Sequence, residues 1–197
     1  GARQPVEETG LLIRKFGEKE NRRILFHVDA VQALGKISVI PEILHADTLS
    51  VSAHKLGGPR GIGALYVRKG VKPEFLHAGG DQEEKRRPGT EHTAGAWGFA
   101  LAAEKAARLM DERYTHAAAL GQRLINGMKE AGGVCFIPEG REQGDLSFSP
   151  YIIKLALPPF PGEVLVRIFD EKGICISTGS ACSTGTKKDK HRVLGYM

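Results

Sequence analysis

The stretch "SVSAHKLGGPRGIGALYV", residues 50–67, decides the fold. Its start belongs to "TLSVSA" (48–53), whose β-branched and apolar residues read as a strand. His54 and Lys55 follow directly, then a Gly-Gly-Pro turn, then a further strand "IGALYV" (62–67). Upstream, "ILFHV" (24–28) reads as a buried strand that ends at Asp29, with Gln32 just beyond it. In open α/β sheets, ligands gather outside the carboxyl ends of the strands. Asp29, Gln32, Ser52, His54 and Lys55 therefore offer an acid, an amide, a hydroxyl, an imidazole and an amine to one cleft. A lysine in such a cleft can form a Schiff base when desolvation or a neighbouring cation lowers its pKa. Taken singly, each of these residues is an ordinary surface residue; the grouping carries the reading.

Outward from this region the chain alternates between helical and extended patterns. Val6 to about Phe16 suits a short amphipathic helix, and the charged "GEKENRR" follows it. "PEILHAD" (41–47) reads as a helical turn that leads into the strand at 48–53. "DQEEKRRPGTEHT" (81–93) is polar and reads as loop. A long helical region runs from about Ala94 to Ala131, with Leu120, Leu124, Ile125 and Met128 on one face, and stops at Gly132-Gly133. "YIIKLAL" (151–157) reads as a strand, "GEVLVRIFDEKG" (162–173) as a helix, and "ICIS" (174–177) as a strand. Strands divided by helices predict an α/β sheet, partly parallel. The composition shift near 108–114 marks the expected boundary, with a smaller α/β unit after it.

Bulk properties exclude several classes. The 197 residues carry 28 Lys and Arg against 23 Asp and Glu, a formal charge of +5 with both signs interspersed. That pattern reads as a solvated surface and argues against direct nucleic-acid binding. No apolar run approaches the roughly 18 residues of a membrane span. "GARQPVEETG" has no signal-peptide character. The cysteines, Cys135, Cys175 and Cys182, form no CxxC pair, so neither a disulfide framework nor a metal site is expected, and the cytoplasm is the default compartment.

Cys182 differs from the other two. In "GICISTGSACSTGTKK" (173–188) it lies among Ser, Thr, Gly and Ala, with no large apolar residue after Ile176. A structural cysteine has apolar neighbours to pack against. This pattern instead predicts a thiol on an accessible, mobile loop. "TKKDKHR" (186–192) could lower that thiol's pKa or attract an acidic acceptor, or be a solvated basic turn. Cys175, alternating within "ICIS", is expected to be packed, and Cys135, after Gly-Gly, to be buried.

Together, "HVDAVQALGK" (27–36), "SAHKLGGPRGIGALYV" (52–67), "RRPGTEHTAG" (86–95) and "STGSACS" (177–183) resemble the cysteine desulfurases of the NifS type, within the class V aminotransferase family. The resemblance covers nearly the whole chain. It implies an enzyme that uses pyridoxal 5'-phosphate to convert L-cysteine to L-alanine, supplying sulfur for Fe–S clusters or tRNA thiolation. It implies that Lys55 carries the cofactor, that Asp29 pairs with its pyridine nitrogen, and that Gln32 bonds its phenolic oxygen. Ser52 and His54 would contact its phosphate. Thr90, in "RPGT", would reach the phosphate of a neighbouring subunit in a homodimer. Cys182 would form the persulfide and pass it to an acceptor such as an Fe–S scaffold protein. Its Gly-Ser-Ala-Cys setting resembles the NifS and IscS-like branch rather than the one represented by SufS. The alternatives are a selenocysteine lyase, another class V aminotransferase, or a non-catalytic piece used for dimerisation or partner binding.

The implied fold is a fold-type-I pyridoxal-phosphate transferase in part. Residues 1–108 would be the end of a large domain with a mostly parallel sheet. Residues 109–197 would be a small α/β domain bearing the cysteine loop. The family's Asn-Glu-Ile-Gly motif, its Gly/Thr phosphate turn, the ring-stacking histidine and the substrate-carboxylate arginine have no counterpart here. The chain is thus expected to be a fragment that binds pyridoxal phosphate weakly or not at all by itself. "RKFGEKENRRI" (14–24) reads as a surface insertion.

Overall fold

A computed structural model describes residues 1–136 and 145–178. They fall into two compact units. The first holds Gly1–Gln122 and a later stretch that ends at Ile152; the second holds the chain from Arg123 and the stretch from Ile153.

The first unit is built on a mixed sheet of β1 (His27–Asp29), β2 (Thr48–Ser52) and β3 (Gly63–Val67). β1 and β2 pair in parallel, Asp29 opposite Ser50, and β3 joins β2 antiparallel, Ser52 opposite Gly63. The antiparallel return is short because only the turn around Gly57–Gly61 separates β2 from β3. Helix α1 (Val6–Lys19) precedes the sheet. Val28, Ala30, Ala46 and Leu49 form the core, against which Val6, Phe26, Leu44 and Tyr66 pack.

Beside that core stands a buried carboxylate, Asp47. It accepts the Phe26 backbone N–H at 2.9 Å and pairs with Arg14 at 3.5 Å and Arg68 at 3.7 Å. Arg68 also donates two hydrogen bonds to the Ala46 carbonyl, at 3.0 and 2.8 Å. One charge thus ties α1, the entry to β1 and the end of β3 together. A buried charge is tolerable only with partners of this kind.

The helical region expected at 94–131 is two helices, α2 (Thr93–Arg108) and α3 (Met110–Ala131). They part at Leu109, whose φ of −101° and ψ of 8° leave the helical range. α2 lies against the 3-10 turn Ala53–Leu56 that carries His54 and Lys55. Gly35 lets this happen: its φ is +72°, and a side chain there would stand 2.7 Å from Leu56 and 2.8 Å from Ala106.

In the second unit, β4 (Cys135–Phe136) pairs antiparallel with β5 (Leu155–Ala156), and α4 (Gly162–Asp170) follows. Two sequence expectations change here. Residues 174–177 form no strand, and Cys175 is exposed rather than packed. Cys135 is half-buried, in a strand of two residues. The "YIIKLAL" strand likewise shrinks to Leu155–Ala156, since only those residues find a ladder partner.

Candidate active site

β1 and β2 run in parallel, so their carboxyl ends share one edge of the sheet. Asp29 closes β1 and Ser52 closes β2. At Asp29 the chain leaves the strand through a local turn, in which Asp29 Oδ1 accepts the Val31 N–H at 3.0 Å. Leu34 N–H then donates to the Ala30 carbonyl at 3.0 Å, and this single helical turn carries Gln32.

At the end of β2 the chain turns more tightly. The 3-10 turn places His54 and Lys55 directly beyond Ser52, both exposed. It ends at Gly57, whose φ of +83° a side-chain-bearing residue adopts only at a cost. Ser52 Oγ and His54 Nδ1 lie 2.7 Å apart, a hydrogen bond that fixes hydroxyl and imidazole as a pair. The residues expected at 27–36 and 50–55 are therefore brought to one sheet edge. Thr90 stands on a different segment, the loop before α2, where Gln82 Oε1 accepts the Gly89 N–H at 3.3 Å. Cys182 lies outside the described residues.

One residue escaped the sequence reading. Lys36 Nζ donates to Gln32 Oε1 at 3.1 Å. The residue is partly buried, and its pKa is lowered first by burial and then by the charge of Lys55. Lys36 is thus a second cation at this edge. The i, i+4 spacing from Gln32 was the available signal.

The donor set suits a phosphorylated pyridine aldehyde. The amine can take a carbonyl carbon, the carboxylate can hold a protonated ring nitrogen, and the amide can bond a phenolic oxygen. The paired hydroxyl and imidazole can meet phosphate oxygens. The Ser52–His54 bond engages Nδ1, so Nε2 is the ring nitrogen open to a further partner.

The sequence matches the family model "Aminotransferase class-V" over residues 1–194. A cysteine desulfurase of Gluconacetobacter diazotrophicus is 41% identical over 187 residues, which is 95% of this chain and 44% of that protein. The cysteine desulfurase IscS of Clostridium botulinum is 37% identical over 197 residues, covering 98% of this chain and 47% of that one. Among solved structures, a NifS-like protein from Rickettsia africae superposes with a TM-score of 0.78 at 28% identity, over 91% of this chain and 47% of its own. The chain spans about half the length of the curated relatives it matches. Its fold is correspondingly part of a fold-type-I pyridoxal-phosphate enzyme.

Proposed function

The chain belongs to the class V aminotransferase family, and on that premise we propose that it is the lysine-bearing part of a pyridoxal-phosphate-dependent cysteine desulfurase. The observation that carries this reading is the placement of Asp29, Gln32, Ser52, His54 and Lys55 at the carboxyl edge of β1 and β2. The names of the relatives support the choice of reaction.

In this reading the residues divide the work. Lys55 Nζ would hold the cofactor's carbonyl carbon. The same amine would carry the substrate's Cα proton, the task of a positioned general base. Asp29 keeps the pyridine nitrogen protonated, Gln32 bonds the phenolic oxygen, and Ser52 with His54 holds the phosphate. The cofactor supplies an electron sink that loosens the bonds at Cα and Cβ. Cys182, as a thiolate, takes the sulfur atom from the substrate. The carbon–sulfur bond breaks, a sulfur–sulfur bond forms, and protons returned to carbon complete alanine. Thr90 serves the phosphate of a second subunit, and a sulfur-acceptor protein such as an Fe–S scaffold removes the persulfide. The domain division at 108/109 and a cytoplasmic setting belong to the same reading. Among the described residues no helix is long and apolar enough to cross a membrane.

The test is to supply pyridoxal phosphate and L-cysteine and to analyse the Cys182 peptide by mass spectrometry. The reading predicts a peptide one sulfur atom heavier, alanine in solution, and loss of both in Lys55→Ala. Cysteine consumed equally well by Cys182→Ser, giving pyruvate, ammonia and sulfide with no sulfur on the protein, would point to a lyase instead.

A further inference from the structure

Lys36 lies in the same turn as Gln32 and within electrostatic reach of Lys55. An ammonium has three donors and no acceptor, so only the amide oxygen of Gln32 can face it. That settles which way the amide turns. With Oε1 held by Lys36, the Nε2 hydrogens are the ones left for another acceptor. The side chain of Gln32 is otherwise exposed and would lose rotamer freedom on binding anything. Lys36 removes part of that freedom in advance. The Lys36 backbone N–H donates to the Ala33 carbonyl at 3.0 Å, which closes the turn that carries both residues.

We propose that Lys36 is a positioning residue that holds Gln32 with its Nε2 hydrogens aimed at the phenolic oxygen of pyridoxal phosphate. The inference rests on the proposed function above, since that reading puts the cofactor at this edge. It assigns Lys36 no contact with substrate. An ordinary exposed i, i+4 pair would contribute only a few tenths of a kcal/mol and would leave ligand binding unchanged. What sets this pair apart is its place: Gln32 stands just past the carboxyl end of β1, at the edge that also carries Lys55.

The experiment uses the full chain and pyridoxal phosphate itself as the probe. Bound cofactor is reduced with borohydride, located by mass spectrometry, and followed by its visible absorption across pH. Lys36→Met should weaken labelling of Lys55 by about three- to tenfold, the range of one ordinary hydrogen bond. It should also raise the pH midpoint of the visible band, because a lost donor disfavours the ring-oxygen anion. Lys36→Arg should restore both. Lys36→Met added to Gln32→Leu should cost nothing more, because the two act through one bond. Wild-type affinity and midpoint in Lys36→Met, or full additivity with Gln32→Leu, would overturn the inference alone. Labelling that does not favour Lys55 over the other lysines, at pyridoxal phosphate high enough to drive weak binding, would overturn the functional reading, and the inference with it.

Discussion

Ser52 and His54 show how much of this site was written in residue order. A strand that ends on a hydroxyl, followed two residues later by imidazole, puts both groups on one sheet edge with no help from distant chain. The 2.7 Å bond between them follows from that proximity. The prediction at this scale is non-additivity. Ser52→Ala and His54→Ala should each weaken pyridoxal-phosphate binding by about 1–2 kcal/mol, and the double variant by less than the sum. Fluorescence titration measures it; full additivity would mean the two groups do not work as a pair. Asp29, Gln32 and Lys55 were legible for the same reason, as polar residues where apolar strand patterns stop. Lys36 was not. Its i, i+4 spacing from Gln32 was the one signal, and spacing alone does not say that the two side chains meet at this edge. The exposure of Cys175 was missed because alternation in "ICIS" suggests a ladder, and no partner strand forms one.

Elements came through the sequence better than their limits did. β2 and β3 fell where the apolar and β-branched runs placed them, each bounded by the glycines and charged residues that end the run. α1 runs past Phe16 to Lys19, since Glu18 and Lys19 are good helix formers and add no packing conflict. The break at Leu109 carried no glycine or proline to announce it. Two substitutions probe how the elements are joined. Asp47→Ala should destabilise the first unit by about 2–3 kcal/mol. It strips partners from Arg14, Arg68 and the Phe26 N–H, and the part-exposed arginines moderate the loss. A lower denaturant midpoint with an unchanged slope would show it, and an unchanged midpoint would remove Asp47 from the account of this fold. Gly35→Ala should cost about 1–3 kcal/mol through its positive φ and its contacts with Leu56 and Ala106. Because those contacts set the 3-10 turn against α2, it should also reduce the reaction of Lys55 with pyridoxal phosphate. A variant with native melting and native Lys55 chemistry would contradict that link.

For the molecule as a whole, class and family were readable because chemistry-bearing segments recur in a fixed order along the chain, and order survives where tertiary detail is invisible. What the sequence could not convey is how much apolar surface stays in solvent. Leu12 is 66% and Phe16 53% exposed on α1; Trp97 is 71% and Leu101 52% exposed on α2. Trp97 is the sole tryptophan, so it reports on α2 directly. Its emission should be that of solvated indole and should be quenched by iodide; blue-shifted, protected emission would mean that another surface covers the helix in solution. The central claim is that Lys55 is the amine that takes the cofactor. The most direct test is borohydride trapping of pyridoxal phosphate on the full chain, with every labelled lysine located by mass spectrometry. The account predicts label concentrated on Lys55 and a collapse of total labelling in Lys55→Ala. Label spread evenly over surface lysines, and unchanged in that variant, would contradict it.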